Sequence, residues 1–277
     1  MPTFTTNDAI ELYYTDTGAG LPVLCLSGLT RDHRDFDYMA SFFPDVRLIC
    51  LDYRGRGKSG WADPTTYTVP QEGQDALALL DHLGLEKAAI LGTSRGGLIA
   101  MGLAAMMPQR LLGAALNDIG PELDGAGLTA IMDYLGRTPV WKTLSEAAAA
   151  RPGVMAGFAG VPATRWAQEV SHFYTETPEG LQLSYDPRLR DAVEAAGALP
   201  LPDLWPFFDA FAVLPATCAL RGQNSDLLSP ACFAKMQTRA PNMIVGEIAD
   251  RGHVPFLDEA DALAPLRQWI NLLKSEA

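Results

Sequence analysis

The sequence lacks most of the features that would move it out of the ordinary globular classes. It has only four cysteines, Cys25, Cys50, Cys218 and Cys232, and none share a C-x-x-C spacing. That excludes a disulfide framework or a cysteine metal centre as a reading, and the first three, set inside apolar runs, read as buried thiols. No apolar run approaches the ~20 residues that a bilayer span requires. The opening "MPTFTTNDAI" has neither the basic nor the apolar region of a secretory leader, so a cytoplasmic location is expected. Positive charge is also scarce. With 21 Lys and Arg against 33 Asp and Glu, the net charge of -12 repels phosphate backbones and anionic head groups. No nucleic-acid or membrane partner is expected, and a small, neutral substrate fits better. Internal repeats and low-complexity segments are missing, and 48% hydrophobic with 19% charged residues is the balance of a folded domain.

What is present is an alternation. Apolar runs at 21–28, 46–52, 87–92 and 111–118 read as strands, with helical patterns at 70–84 and 95–107 between them. Fully apolar strands divided by helices imply a parallel sheet covered on both faces. The rhythm breaks after Asp118, and residues 119–206 are helical, proline-bearing and rich in aromatics. Strand signals return at 216–222 and 243–249, followed by an amphipathic helix at about 259–274. The expected class is therefore α/β, with a sheet domain formed by 1–118 and 207–277 and a helical insertion at 119–206.

The segment "GTSRG", residues 92–96, matches G-x-S-x-G between a strand and a helix, the context in which that motif lifts a serine above the sheet. Glycine inside an element costs roughly 0.5–1 kcal/mol relative to alanine, so Gly92 and Gly96 argue that close backbone approach is the purpose of the turn. A serine nucleophile needs a base. Of the four histidines, His82 lies in a helix pattern, His172 in the insertion and His33 in an early loop, whereas His253 follows the last strand on a glycine-bearing loop. His253 is the expected base. For the orienting acid, Asp226, after the strand at 216–222, fits the chain order Ser, acid, His. Asp118 at the end of the preceding strand competes with it, and Asp250 and Asp258 lie near His253 in sequence. The expected oxyanion donors are the backbone N–H groups of Arg95 and of Leu29, in "SGLT".

"GRGKSG", residues 55–60, satisfies G-x-G-x-x-G after a strand, with Asp75 where a ribose-binding acid would stand. The following "WADPTTYTVP" cannot start the helix that such a site needs at its glycines, so no dinucleotide site is expected.

Taken in order, "SGLT", "DYRGRGKSG", the serine turn, "RGQNSD" and "RGHVPFLDE" make the chain resemble the α/β-hydrolase fold superfamily over essentially its whole length. The resemblance implies a mostly parallel sheet of about eight strands and a helical cap inserted after the sixth, here 119–206. It implies Ser94 as nucleophile, Asp226 as acid, His253 as base, and no cofactor or metal. Two positions depart from common members of the superfamily: Ser27 stands where histidine often precedes the oxyanion glycine, and Arg95 follows the nucleophile where methionine or glutamine is common. A serine nucleophile implies acyl transfer, so hydrolysis of a carboxylic ester, lactone or thioester is expected. The alternatives are a carbon-carbon bond hydrolase, whose usual "GPG"-like run is missing from "SGLTRDHRDF", and a non-catalytic small-molecule receptor. The aromatic insertion suggests an apolar pocket with Trp166 and Phe173 as lining candidates.

Overall fold

A computed structural model describes residues 2–155, 157–198 and 202–276. In chain order the first half comprises β1 (Thr3–Thr5), β2 (Glu11–Thr17), β3 (Leu21–Leu26), α1 (Asp37–Ala40), β4 (Val46–Leu51), α2 (Val69–His82), β5 (Ala88–Thr93), α3 (Arg95–Met106) and β6 (Leu111–Asn117). Then come α4 (Gly125–Tyr134), α5 (Leu144–Val154), α6 (Ala163–Phe173), β7 (Tyr174–Thr177), β8 (Gly180–Leu183), α7 (Leu189–Gly197) and α8 (Trp205–Ala212). The chain closes with β9 (Thr217–Gly222), α9 (Pro230–Arg239), β10 (Ile244–Ile248) and α10 (Ala260–Glu276).

Eight strands form one sheet in the order β1-β2-β4-β3-β5-β6-β9-β10. β1 and β2 run antiparallel to their neighbours and the other six strands are parallel, which is the mostly parallel α/β sheet expected. The strand pattern follows from burial on both faces. Leu24, Leu26, Ile49, Leu51, Ile90 and Leu116 pack under α2, α3, α8 and α9, while Val23, Cys25, Leu48, Cys50, Leu91 and Cys218 face α1 and α10. All four cysteines are buried free thiols. Two helix starts are set by side-chain caps followed by proline. Thr68 accepts from Gln71 N–H ahead of α2, and Ser229 from Cys232 N–H ahead of α9.

Residues 118–216, between β6 and β9, hold α4 to α8 and the isolated hairpin β7-β8. The hairpin is a departure from the all-helical reading of this segment. Helix α8 belongs with the sheet, since Trp205, Phe208 and Phe211 join the same core as Ile99 and Leu116. The expected boundary at 206 therefore cuts just inside α8.

Register decides what meets at the carboxyl end of the sheet. Leu26 of β3 pairs with Gly92 of β5, Thr93 with Asn117 of β6, and Asn117 with Leu220 of β9. The chain thus leaves β3, β5, β6 and β9 at one level, where an open α/β sheet collects its site residues.

Candidate active site

Ser94 is the single residue between β5 and α3, and its φ of 50° and ψ of -113° place it in a sharp turn that non-glycine residues rarely adopt. The turn is held by Ser94 N–H to Asn117 O (2.9 Å), Gly97 N–H to Ser94 O (2.9 Å) and Gly96 N–H to Ser27 O (3.1 Å). The glycines answer to packing. A Cβ on Gly92 would lie 2.4 Å from Gly96 O, and one on Gly96 would lie 2.0 Å from Leu26 O. Both distances are far inside contact.

His253, on the loop after β10, places Nε2 2.9 Å from Ser94 Oγ and Nδ1 2.7 Å from Asp118 Oδ2. A carboxylate only accepts, so Nδ1–H donates to Asp118 and Nε2 is left to accept from the serine hydroxyl. Asp118 is fully buried just past β6, with φ of 57°. Its carboxylate also accepts from Gly222 N–H and from Ser225 Oγ–H, both at 2.7 Å.

The acid beside His253 is therefore Asp118, not Asp226. The reason lies in the loop after β9. Ser225 turns inward to Asp118 and accepts from the N–H groups of Leu227 and Leu228. The next side chain, Asp226, is consequently exposed at the cavity wall, and among the described residues only its carbonyl is engaged, by Gly127 N–H at 3.1 Å. Ser225 is a residue that sequence reasoning missed, and its position directly ahead of Asp226 was the available signal. Neither Asp250 nor Asp258 reaches the histidine ring; Asp258 is an ion-pair partner of Arg165.

Among the described residues, the N–H groups of Leu29 and Arg95 have no acceptor. The loop carrying Leu29 is fixed from behind. Arg56 Nε donates to Leu29 O at 3.1 Å, and Tyr53 Oη to Ser27 O at 3.0 Å. The side chain of Arg95 turns away from the cavity to Glu72 (2.5 Å) and to Tyr67 O (2.9 Å). Glu72 also pairs with Arg56 at 2.9 Å, and both are fully buried. The remaining glycine motif serves the same kind of network. Arg54 pairs with Asp75 at 2.7 Å, a short 3-10 turn follows at Pro64–Thr66 and the next α-helix begins only at Val69, so among the described residues no helix N-terminus stands at Gly55 or Gly57. His33 is buried on Asp52 at 2.8 Å, and His82 stacks on Phe4.

Ser94 and His253 lie in the wall of a cavity of about 450 Å³, closed on the other side by α4, α5 and α6. Tyr134, Trp141, Phe158, Phe173 and Phe256 give it an aromatic lining. Phe173, one of the two lining candidates, lies in this wall. Trp166 does not, because it is buried behind Phe158 and Phe256, with ring centroids 5.8 and 6.1 Å away. The amphipathic spacing of α6 sends the indole into the packing between helix and loop.

Between the core loop and α6 lies a charged cluster. Arg31 bonds Asp35 (2.8 Å) and Glu169 (2.9 Å), Tyr38 Oη donates to Glu169 (2.9 Å), and Arg34 donates to the carbonyls of Ser171 and His172, each at 2.7 Å. Burial pushes the Asp35 carboxyl up, but Arg31 and then His172 outweigh it and hold it below its ordinary value.

Comparison with known proteins places the chain in a defined neighbourhood. A model of the alpha/beta hydrolase family matches residues 23–266. A 3-hydroxybutyrate-oligomer hydrolase of Cupriavidus necator is 36% identical over 255 residues, covering 88% of this chain and 86% of that protein. A 3-oxoadipate enol-lactonase of Acinetobacter baylyi is 29% identical over 187 residues, 66% of this chain and 64% of that one. The crystal structure of an alpha/beta hydrolase from Novosphingobium aromaticivorans superposes with a TM-score of 0.90 at 37% identity, covering 99% of this chain and 97% of that one.

Proposed function

We propose that this chain, which belongs to the alpha/beta hydrolase family, hydrolyses a carboxylic ester of a small molecule through an acyl-enzyme on Ser94. The observation that carries the reading is the continuous hydrogen-bonded line from Asp118 through His253 to Ser94, beside two N–H groups that have no acceptor among the described residues. In the first step Ser94 Oγ attacks the ester carbonyl while its proton passes to His253 Nε2. Asp118 holds the ring in the required tautomer and stabilises the imidazolium. The oxyanion is held by Leu29 and Arg95 N–H, each donor contributing on the order of 10²–10³ in rate in comparable sites. His253 then protonates the departing alkoxide, and a water deprotonated by the same nitrogen releases the acid.

In this reading segment 119–206 acts as a cap, closing the cavity over the serine so that the charge-separated intermediate forms away from bulk water. Hydrolases of a hydroxybutyrate oligomer and an enol-lactone among the relatives fit an ester-type bond. Carbon-carbon cleavage fits less well, since "SGLTRDHRDF" lacks the "GPG"-like run usual in such hydrolases and Arg95, next to the nucleophile in sequence, is committed to Glu72. The test is labelling with a fluorophosphonate followed by a panel of aryl and alkyl esters of graded length. Labelling of Ser94 with turnover of at least one ester is expected. An unlabelled, folded protein that turns over none would overturn the reading in favour of a binding role.

A further inference from the structure

Arginines inside this molecule are paired almost as a rule. Arg31 holds Asp35 and Glu169, Arg54 holds Asp75 and Asp8, Arg56 and Arg95 share Glu72, and Arg221 reaches Glu247. Arg151 breaks the pattern. It lies in the last turn of α5 and lines the same cavity as Ser94 and His253. Among the described residues its guanidinium has no hydrogen-bond acceptor and no carboxylate partner, and Nε is buried without one.

The surroundings do not supply the missing charge. Arg151 stacks on Phe173 at 4.5 Å, and Arg31 stands over that same ring at 4.0 Å. Glu169 is occupied by Arg31 and Tyr38, one oxygen each. Burial first, and then the Arg31 charge, push the Arg151 guanidinium below its ordinary value, and Glu169 does not make up the difference. The α5 carbonyl end offers a favourable dipole, but that is no substitute for an acceptor at Nε. Of the other carboxylates on the cavity wall, Asp35 is held by Arg31, and Asp133 and Asp226 are exposed.

We propose that Arg151 is the anchor for a substrate carboxylate, so that the cavity takes molecules carrying one free carboxylate beside the ester to be cleaved. The proposal rests on the ester-hydrolase reading for the bond that breaks, and on Arg151 alone for the anion. A planar guanidinium with a ring on one face presents its fork edge-on, the geometry that a carboxylate accepts bidentately. Net charge misleads here. The -12 of the whole chain opposes anions at long range, but salt screens that field within about 8–10 Å, and the unpaired cation acts at contact inside the cavity.

Two measurements separate the anchor from the chemistry. The first is calorimetric binding of monomethyl glutarate and of neutral dimethyl glutarate to Ser94→Ala protein, with and without Arg151→Met. The monoanion should lose on the order of 10- to 100-fold in affinity with the arginine, the neutral diester much less, and Arg151→Lys should recover part of the loss. The second is the ratio of kcat/KM for the two esters in otherwise unaltered enzyme, which should favour the monoanion and fall by a similar factor in Arg151→Met. Equal affinities for both ligands, unmoved by Arg151→Met, would overturn the anchor even if esters are turned over. Arginine-dependent anion binding without any turnover would uphold the anchor and sink the ester reading.

Discussion

Ser225 donates its hydroxyl hydrogen to Asp118 Oδ2 at 2.7 Å, onto the same oxygen that accepts from His253 Nδ1. The acid of the site is thereby fixed by the loop that follows β9 although it sits at the end of β6. Asp118→Asn should lower kcat by about 10³- to 10⁴-fold, because an amide can neither enforce the tautomer nor stabilise the imidazolium. Asp226→Asn should change it less than about threefold, and Ser225→Ala should fall between them. Steady-state kinetics on one ester with the three folded variants checks the ranking. A large effect at Asp226 with a small one at Asp118 would reverse the assignment.

Ser94→Ala should abolish fluorophosphonate labelling and lower hydrolysis by several orders of magnitude, leaving the fold intact. Alanine removes only the hydroxyl from a turn that backbone hydrogen bonds hold. Intact-mass and peptide spectra read the labelling site, and adduct on any other residue would contradict the role given to Ser94.

Among the described residues, Glu72 is the sole carboxylate paired with two guanidinium groups, the buried Arg56 and the partly buried Arg95. Glu72→Gln strips the counter-charge from both and should cost about 3–5 kcal/mol in unfolding free energy. Urea denaturation measures it. Because Arg56 also carries Leu29 O, kcat should fall further than at an equally destabilised site remote from the loop. A loss below about 1 kcal/mol would mean that the network is relaxed or hydrated.

Phe173 and Trp166 should part company on substitution. Phe173→Ala opens the cavity wall and should change preference among esters of different length, since binding energy from remote substrate parts is realised only when those parts are present. Trp166→Ala instead leaves a void behind the wall and should cost about 3–5 kcal/mol in stability with little change in that preference. Chain-length profiles alongside thermal melts distinguish the two, and identical profiles for both variants would contradict the placement.

The sheet was legible because its inner strands are predominantly apolar, so that β3, β4, β5, β6 and β9 each announced themselves. β2 did not, because Leu12, Tyr13 and Tyr14 are buried in succession, without the alternation of a half-exposed strand. Tyr13 is covered on its own side by His33, 4.9 Å away. Helix α9 carried a readable Ser229-Pro230 start that went unread. Ser94 and His253 could be read from local motifs. The choice between Asp118 and Asp226 could not, since both follow strands of the same sheet and only the inward turn of Ser225 separates them. Arg151 gave no signal of its own: an arginine is conspicuous only when its partners are known, and those around it come from residues 31, 35 and 169.

The ties between the loop after β3 and helix α6 have a mechanical consequence. Arg31 and Tyr38 grip Glu169, and Arg34 grips the carbonyls at 171 and 172, so the strip that carries Leu29 and the helix that roofs the serine are latched together at four points. Lifting that roof would have either to break these contacts or to carry the strip with it. The site is thus built like a clasp whose lid and jaw are fastened together, so that the position of α6 and the position of the backbone at Leu29 are set by the same bonds.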